Sequence, residues 1–288
     1  MLPDPMPYFA ELQDPRRETK NKLHKLTDIV LIVLCAVLSG VEDWVGMEDF
    51  AEEKEEWFRT FLELPNGVPS HDTLSNVFGR LNPKAFAECP KRLGLYGVMP
   101  DSDWVKRMVD AELPTVQLRF KSEDKSKIKK QIAQAVSAVE GSKTLLFIND
   151  YWQEAIAAGA YGVHLGQEDM ETANLEAIRN AGLRLGLSTH GYAEMVYADR
   201  FCPSYIAMGA VFPTPIKQMP TAPQGLGRIY QYAKLMSHYP LVAIGGIDET
   251  SIHAVAQSGV GSVALIRAIT NAKDPKAAVK HLQELMRT

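Results

Sequence analysis

The sequence predicts an α/β fold over residues 91–288, a (β/α)8 TIM barrel, preceded by a small all-α segment over residues 1–90. Two observations carry the barrel. Eight short apolar runs alternate with helical stretches over roughly 195 residues, the count of a compact eightfold barrel. Polar or glycine-rich clusters follow the runs, which gathers them at the C-terminal rim, where such barrels place their sites. A third observation sets the boundary near Glu88-Cys89-Pro90-Lys91, where Pro90 interrupts any helix arriving from Lys84.

In chain order, Asp28 is placed to cap a helix through Ile29, Val33 and Val37 that stops at Ser39-Gly40. A second helical stretch, Trp44–Leu62, carries Glu48, Asp49, Glu52, Glu53, Glu55 and Glu56 on one charged face. Leu64-Pro65-Asn66-Gly67 makes a turn, and a third helix follows over Thr73–Leu81, with Ser70 or Asp72 as its cap. Strands are expected at Leu93–Val98, Thr115–Arg119, Thr144–Ile148, Gly162–Leu165, Arg184–Ser188, Tyr205–Met208, Leu241–Ile244 and Ser262–Ile266. Helices are expected between them at Asp103–Ala111, Lys125–Val139, Leu175–Ala181 and Arg228–His238.

Composition narrows the classes of partner. The chain is 46% apolar with a net charge of −4, enough for a real core and without a global basic field. The charge is uneven: residues 1–90 hold 9 basic against 16 acidic side chains, and the remainder holds 22 against 19. Arg16, Arg17, Lys20, Lys22 and Lys25 form one basic cluster inside that acidic segment. Phosphate neutralisation needs the opposite balance, so a nucleic-acid partner is not expected. The longest apolar run, Ile29–Leu38, is about half a membrane span. Cys35, Cys89 and Cys202 are scattered without metal spacing, as in a reducing compartment. A soluble, cytoplasmic chain is expected, and self-association stays open.

Three groups at the rim carry chemistry. Asp150 follows the third expected strand and Asp169 the fourth. Neighbouring strands lie about 5 Å apart, so the two carboxylates can share one hard cation. Magnesium suits this set, because it takes one or two carboxylates, several waters and phosphate oxygens. The plainer alternative for Asp150 is a helix cap. Arg119 and Lys121 end the second strand and Lys217 sits in the long loop after the sixth. Together they suit a pyrophosphate; singly, each reads as surface charge. Gly245-Gly246 follows the seventh strand, where such barrels often cradle a phosphate with backbone N–H groups. Gly259 and Gly261 fall on the opposite rim and read as turn residues. A diphosphate site beside a separate phosphate cup points to the joining of two phosphorylated small molecules, with pyrophosphate leaving.

QLRFK, FINDYWQEA, YGVHLGQED, GLSTHG, FPTPIKQMPTAPQG, AIGGI and GVGSVALIRAIT, in that order, resemble the thiamin-phosphate synthase family over residues 92–288. The resemblance implies a transferase that couples hydroxymethylpyrimidine diphosphate to hydroxyethylthiazole phosphate with Mg2+. It implies that Gln117, Arg119, Lys121 and Asn149 hold the pyrimidine diphosphate with Ser188 as a further contact, and that Asp150 and Asp169 bind the metal. Thr214, Lys217 and Gly246 would contact the thiazole phosphate, with Ile266 helping through its backbone. Arg119, Lys121 and Lys217 would stabilise the departing diphosphate. His164 either faces the pyrophosphate or is structural. Two positions depart from the family pattern: Ile216 replaces a threonine, and Arg267 replaces a serine. A lost hydroxyl contact costs about 0.5–1.5 kcal/mol; Arg267 either offsets it through a charge-assisted bond to the phosphate or points away. A thiazole tautomerase on the same barrel is the enzymatic alternative, needing neither diphosphate nor metal.

FAELQDPRRETKNKLHKLTDIVLIVLCAVLSGVEDW and LPNGVPSHDTLSNVFGRLNPKAF resemble the N-terminal region of H-repeat-type DDE transposases. The similarity ends before that family's first catalytic aspartate, so no nuclease chemistry follows. A passive appendage is expected; the non-enzymatic alternative is an inactive fusion with a DNA-associated fragment of a mobile element.

Overall fold

Helix Leu26–Leu38 is the centre of the N-terminal unit because nearly every face of it is apolar. Ile29, Val30, Ile32, Val33 and Ala36 are buried in one cluster with Met47, Phe58, Leu64, Leu74 and Val77. The computed structural model describes residues 9, 12, 14–16, 22–81, 93–214, 221–237 and 239–287. The chain divides into two compact units, residues 2–91 and 92–288.

The first helix stops at Ser39-Gly40 as expected, with Gly40 in the left-handed region at φ +86°. Asp28 does not cap it. The helix begins two residues earlier, at Leu26, and Lys25 holds the cap position without a side-chain bond. Asp28 is buried in the first turn, where its Oδ2 accepts the Leu64 N–H at 3.3 Å. A carboxylate there faces the positive end of the helix and ties down a loop from the far side of the unit. Burial nevertheless pushes its pKa up.

The expected Trp44–Leu62 stretch is two helices, Trp44–Glu53 and Glu55–Phe58, broken at Lys54. The third helix runs His71–Phe78, two residues ahead of its expected start, and Ser70 rather than Asp72 caps it by accepting the Thr73 N–H. Glu48 accepts the His71 N–H at 2.8 Å and holds the His71 ring at 2.5 Å, joining helix Trp44–Glu53 to helix His71–Phe78. Much of the basic cluster is internally neutralised: Arg16 and Lys22 both pair with Asp14, and Lys25 pairs with Glu63. Arg17, Lys20 and Cys89 lie outside the described residues.

In the second unit, eight parallel strands close into a barrel in sequence order. They are β1 Gly94–Met99, β2 Thr115–Leu118, β3 Leu145–Asn149, β4 Gly162–Leu165, β5 Arg184–Thr189, β6 Tyr205–Met208, β7 Leu241–Ile244 and β8 Gly261–Leu265. Three of the eight match the sequence expectation at both ends, and the others shift by one residue at one or both ends. Helices Ser102–Asp110, Lys125–Val139, Trp152–Ala158, Tyr192–Asp199, Gly225–Leu235 and Pro275–Arg287 are among those outside the strands. Gly259 and Gly261 have positive φ at the turn into β8, consistent with their reading as turn residues.

Alternation along each strand sorts side chains to two faces. One set, including Leu95, Val116, Leu146, Val163, Leu187, Ile206 and Val263, packs under the helices. The other set faces the barrel axis, and the register keeps it in step around the wall: Val98↔Gln117, Gln117↔Phe147, Phe147↔Gly162, His164↔Gly186 and Gly186↔Tyr205 are paired positions.

The axis is plugged by Tyr96, Phe147 and Tyr205, all buried, with Phe147 and Tyr205 edge-to-face at 5.0 Å between ring centres. Two glycines make room. A Cβ at Gly162 would stand 2.5 Å from the Phe147 ring and 2.7 Å from the Arg184 carbonyl, and one at Gly186 would overlap the Tyr205 ring. Overpacking a core costs about 1–3 kcal/mol. Gly186→Ala is therefore expected to lower the thermal midpoint of the barrel by about 2–12 °C, measured by calorimetry; an unchanged midpoint contradicts this packing.

Candidate active site

A cavity of about 580 Å³ opens at the C-terminal ends of the strands. Gln117, Arg119 and Lys121 line it from β2 and its loop, Asn149 and Asp150 from the end of β3, and Asp169 and Ser188 from behind β4 and on β5. Thr214, Gly246, Ile266 and Arg267 line it from the loops after β6, β7 and β8. The residues singled out in the sequence are thus brought to one place, except Ile216 and Lys217, which lie outside the described residues.

Local backbone explains how the carboxylates converge. Asp150 sits in the left-handed region at φ 64°, a conformation aspartate tolerates better than most residues but still at some strain. Its N–H donates to the His164 carbonyl at 2.9 Å, pinning the end of β3 to β4. Asp150 is not a side-chain cap: Tyr151 holds that position for helix Trp152–Ala158, and the Asp150 carboxylate pairs instead with the Lys121 ammonium. Tyr151 steadies the loop carrying Lys121, its hydroxyl bonding the Ser122 N–H at 3.4 Å and the Ser122 carbonyl at 3.3 Å.

Asp169 lies in the first turn of helix Gln167–Thr172. Its carboxyl is in hydrogen-bond contact with Asp150, and its pKa is raised, first by burial and then by the Asp150 charge. Two carboxylates in contact, one of them paired with the exposed Lys121, form a site short of positive charge. Among the described residues no group of three or more His, Cys, Asp or Glu side chains gathers to hold a metal. Two oxygen donors without a full protein cage are what magnesium accepts, because it keeps waters and binds substrate phosphates.

The other end of the cavity is built from backbone. Gly245 and Gly246 both have positive φ, 100° and 70°. A Cβ on Gly246 would stand 2.6 Å from the Pro213 carbonyl, and one on Gly245 would stand 2.6 Å from Ala210 Cβ. Phe212 N–H donates to the Gly245 carbonyl at 2.9 Å, so the loops after β6 and β7 are laced together. Arg267 opens the one-turn helix Arg267–Thr270 beside them.

Between the two ends runs a chain of buried polar groups. Gln117 Nε2 donates to Tyr96 Oη at 3.1 Å; Tyr96 Oη lies 2.8 Å from Tyr205 Oη, and Tyr205 Oη lies 2.7 Å from His164 Nδ1. His164 Nε2 then lies 2.7 Å from Ser188 Oγ. Burial pushes both tyrosine pKa values up, so both phenols are protonated. His164 is 7% exposed and has its two ring nitrogens engaged by protein, which makes it part of the cavity wall. Sequence reasoning missed Tyr96 and Tyr205, since a tyrosine inside an apolar run reads as core. Counting in steps of two from Val98 and Ala207 would have turned both inward.

A family model described as "Thiamine monophosphate synthase" matches residues 96–269. The chain belongs to that family. A "Thiamine-phosphate synthase" of Neisseria meningitidis is 58% identical over 193 residues, covering 67% of this chain and 94% of that protein. One of Cronobacter sakazakii is 51% identical over 200 residues, covering 69% and 95%. Among solved structures, a thiamine phosphate pyrophosphorylase from Pyrococcus furiosus superposes with a TM-score of 0.61 at 25% identity, over 69% of this chain and 97% of that one. A second model, described as "DDE_Tnp_1-associated", matches residues 6–93. The family match thus falls on the barrel unit and the transposase-associated match on the helical one.

The glycine cup makes a direct prediction. Gly246→Ala forces a methyl group onto the Pro213 and Phe212 carbonyls and strains a positive φ. Affinity for a thiazole phosphate, measured by calorimetric titration, is expected to fall about tenfold or more, equivalent to about 1.4 kcal/mol. Unchanged affinity would place the phosphate elsewhere.

Proposed function

We infer that the barrel is a thiamine-phosphate synthase, joining hydroxymethylpyrimidine diphosphate to hydroxyethylthiazole phosphate with release of pyrophosphate. The observation that carries this reading is the division of one cavity into a charged end and a glycine-lined end, each suited to a phosphate. Asp150, Asp169, Lys121 and Arg119 stand at one end, and Gly245-Gly246, Thr214 and Arg267 at the other. A diphosphate and a monophosphate bound at those ends would bring the organic parts together between them.

Arg119 and Lys121 hold the diphosphate, with Lys121 released from Asp150 to reach it. Asn149 and Gln117 orient the pyrimidine, and Ser188 supplies a further polar contact. Asp150 and Asp169 would hold magnesium, which when bound would neutralise charge on the diphosphate. The C–O bond to the pyrimidine methylene breaks with its electron pair going to the leaving diphosphate. The electron-rich aminopyrimidine bears the positive charge, and the thiazole nitrogen lone pair then forms the new C–N bond. No proton has to be removed for that bond to form, so the protein contributes orientation and electrostatic stabilisation. Lys217 is assigned to the leaving diphosphate as well. Ile266, through its backbone, and Arg267 serve the thiazole phosphate, the guanidinium standing in for the hydroxyl contacts that Ile216 and a missing serine do not supply.

Among the described residues no helix is long and apolar enough to cross a membrane, and the substrates on this reading are small phosphorylated molecules.

Mixed with both phosphorylated halves and magnesium, the purified protein is expected to form thiamin phosphate. Asp150→Ala is expected to lower turnover about 10²-fold or more, the scale of losing a preorganised electrostatic group, with partial recovery at high magnesium. Turnover of a thiazole phosphate that survives EDTA and needs no diphosphate would turn the assignment to a tautomerase. Residues 1–90 contribute no residue to the roles above, so a chain starting at residue 90 is expected to match the full chain in kcat/KM; loss of turnover on truncation would give the helical unit a part in catalysis.

A further inference from the structure

For a given orientation of the Gln117 amide, the buried chain from Gln117 to Ser188 can run in one direction only, and that direction has a consequence for specificity. Each link needs one proton, and each hydroxyl or neutral imidazole supplies one. Gln117 donates its amide hydrogen to Tyr96 Oη. If Tyr96 then donates to Tyr205, and Tyr205 to His164 Nδ1, every link is filled when His164 carries its proton on Nε2 and gives it to Ser188 Oγ. The Ser188 hydroxyl hydrogen is left over and points to the cavity.

The opposite direction fails with this amide placement. Were Ser188 to donate to His164, His164 to Tyr205 and Tyr205 to Tyr96, the Tyr96 hydroxyl hydrogen would have no acceptor. Tyr96 is 1% exposed, and its polar contacts are Gln117 and Tyr205. A buried hydroxyl without an acceptor is strongly disfavoured. Reversal would require the Gln117 amide to turn over as well, so that its carbonyl faced Tyr96. The chain therefore has two self-consistent states that move as one, and the amide orientation selects between them.

The two states present opposite chemistry to a ligand. With the Gln117 amide NH2 turned to Tyr96, its carbonyl oxygen is left for the cavity. The cavity is offered an acceptor at Gln117 and a donor at Ser188, both of which line it. That pair suits a heteroaromatic ring with an exocyclic amino group to donate and a ring nitrogen to accept. The reversed state would suit the corresponding oxo compound, which offers a carbonyl and a ring N–H.

We propose that Tyr96 and Tyr205 are positioning residues that fix the His164 tautomer and, through it, select an aminopyrimidine over its oxo counterpart. This rests on the synthase reading for the identity of the ring, but not for the tautomer. Both tyrosines line the floor of the cavity, and on this proposal each acts through the hydrogen it passes on. Tyr205 is also the plug that Gly186 admits, so its ring can be kept while its hydroxyl is removed.

The test uses the full-length protein with and without substrate. Nitrogen-15 NMR of labelled histidine, with the His164 signals assigned by their loss in His164→Asn, reads the tautomer directly. Steady-state kinetics compares the aminopyrimidine diphosphate with its 4-oxo analogue. The unaltered protein is expected to show His164 protonated on Nε2 alone. In Tyr205→Phe the tautomers should mix, and preference for the amino over the oxo substrate should fall about tenfold or more, expressed mainly in KM. Tyr96→Phe, which keeps the link from Tyr205 to His164 but frees the polarity, should lose preference in the same direction. A His164 protonated on Nδ1 in the unaltered protein overturns the proposal, as does an undiminished preference in both phenylalanine variants. Absence of turnover in the unaltered protein would instead count against the synthase reading, and the tautomer measurement would still decide the relay.

Discussion

Everything at the rim depends on how the barrel axis is filled. Three aromatic side chains cannot share an eight-stranded interior unless neighbouring positions give up volume. Gly162 and Gly186 do so on adjacent strands, directly in register with Phe147 and Tyr205. The rings then form a floor that closes the lower barrel and leaves the upper part open as a cavity. The same rings carry the hydroxyls on which Gln117 and His164 rest. Packing and polar organisation are one arrangement here: moving Tyr205 for steric reasons would also detach His164 and Ser188.

Above that floor the cavity is electrically divided. One end concentrates carboxylates that repel each other and are balanced by Lys121; the other concentrates glycines and one arginine. The division supplies a reason for the strained φ of Asp150. Its unusual backbone aims the carboxylate at Lys121 and Asp169 while its N–H stays tied to β4. An aspartate used only to cap the next helix would need none of this.

Much of the fold was legible in the sequence because parallel barrel strands are buried on both faces and therefore read as short apolar runs. All eight strands stand where those runs are, within one residue at either end. The helical unit was less legible. Asp28 has the sequence context of a cap, yet its carboxylate is spent on Leu64, 36 residues away, a partner that local pattern cannot reveal. The break at Lys54 was hidden for a similar reason: the acidic run around it is uniformly helix-forming, and tertiary packing of Phe58 decides where the turn falls. At the site, charged and glycine residues announced themselves by type and by position after strands. Tyr96 and Tyr205 did not, because in sequence their apolar rings mask the hydroxyls that matter.

On the proposed function, Asp150 and Asp169 share one divalent cation against a diphosphate held by Arg119 and Lys121. Crystals grown with manganese and pyrophosphate, recorded at a wavelength where manganese scatters anomalously, test it most directly. The account predicts one anomalous peak between the two carboxylates, with pyrophosphate oxygens completing its coordination and Lys121 moved from Asp150 to the phosphate. A peak bound elsewhere in the cavity, or pyrophosphate seated at Gly245-Gly246 with Lys121 still on Asp150, would contradict it.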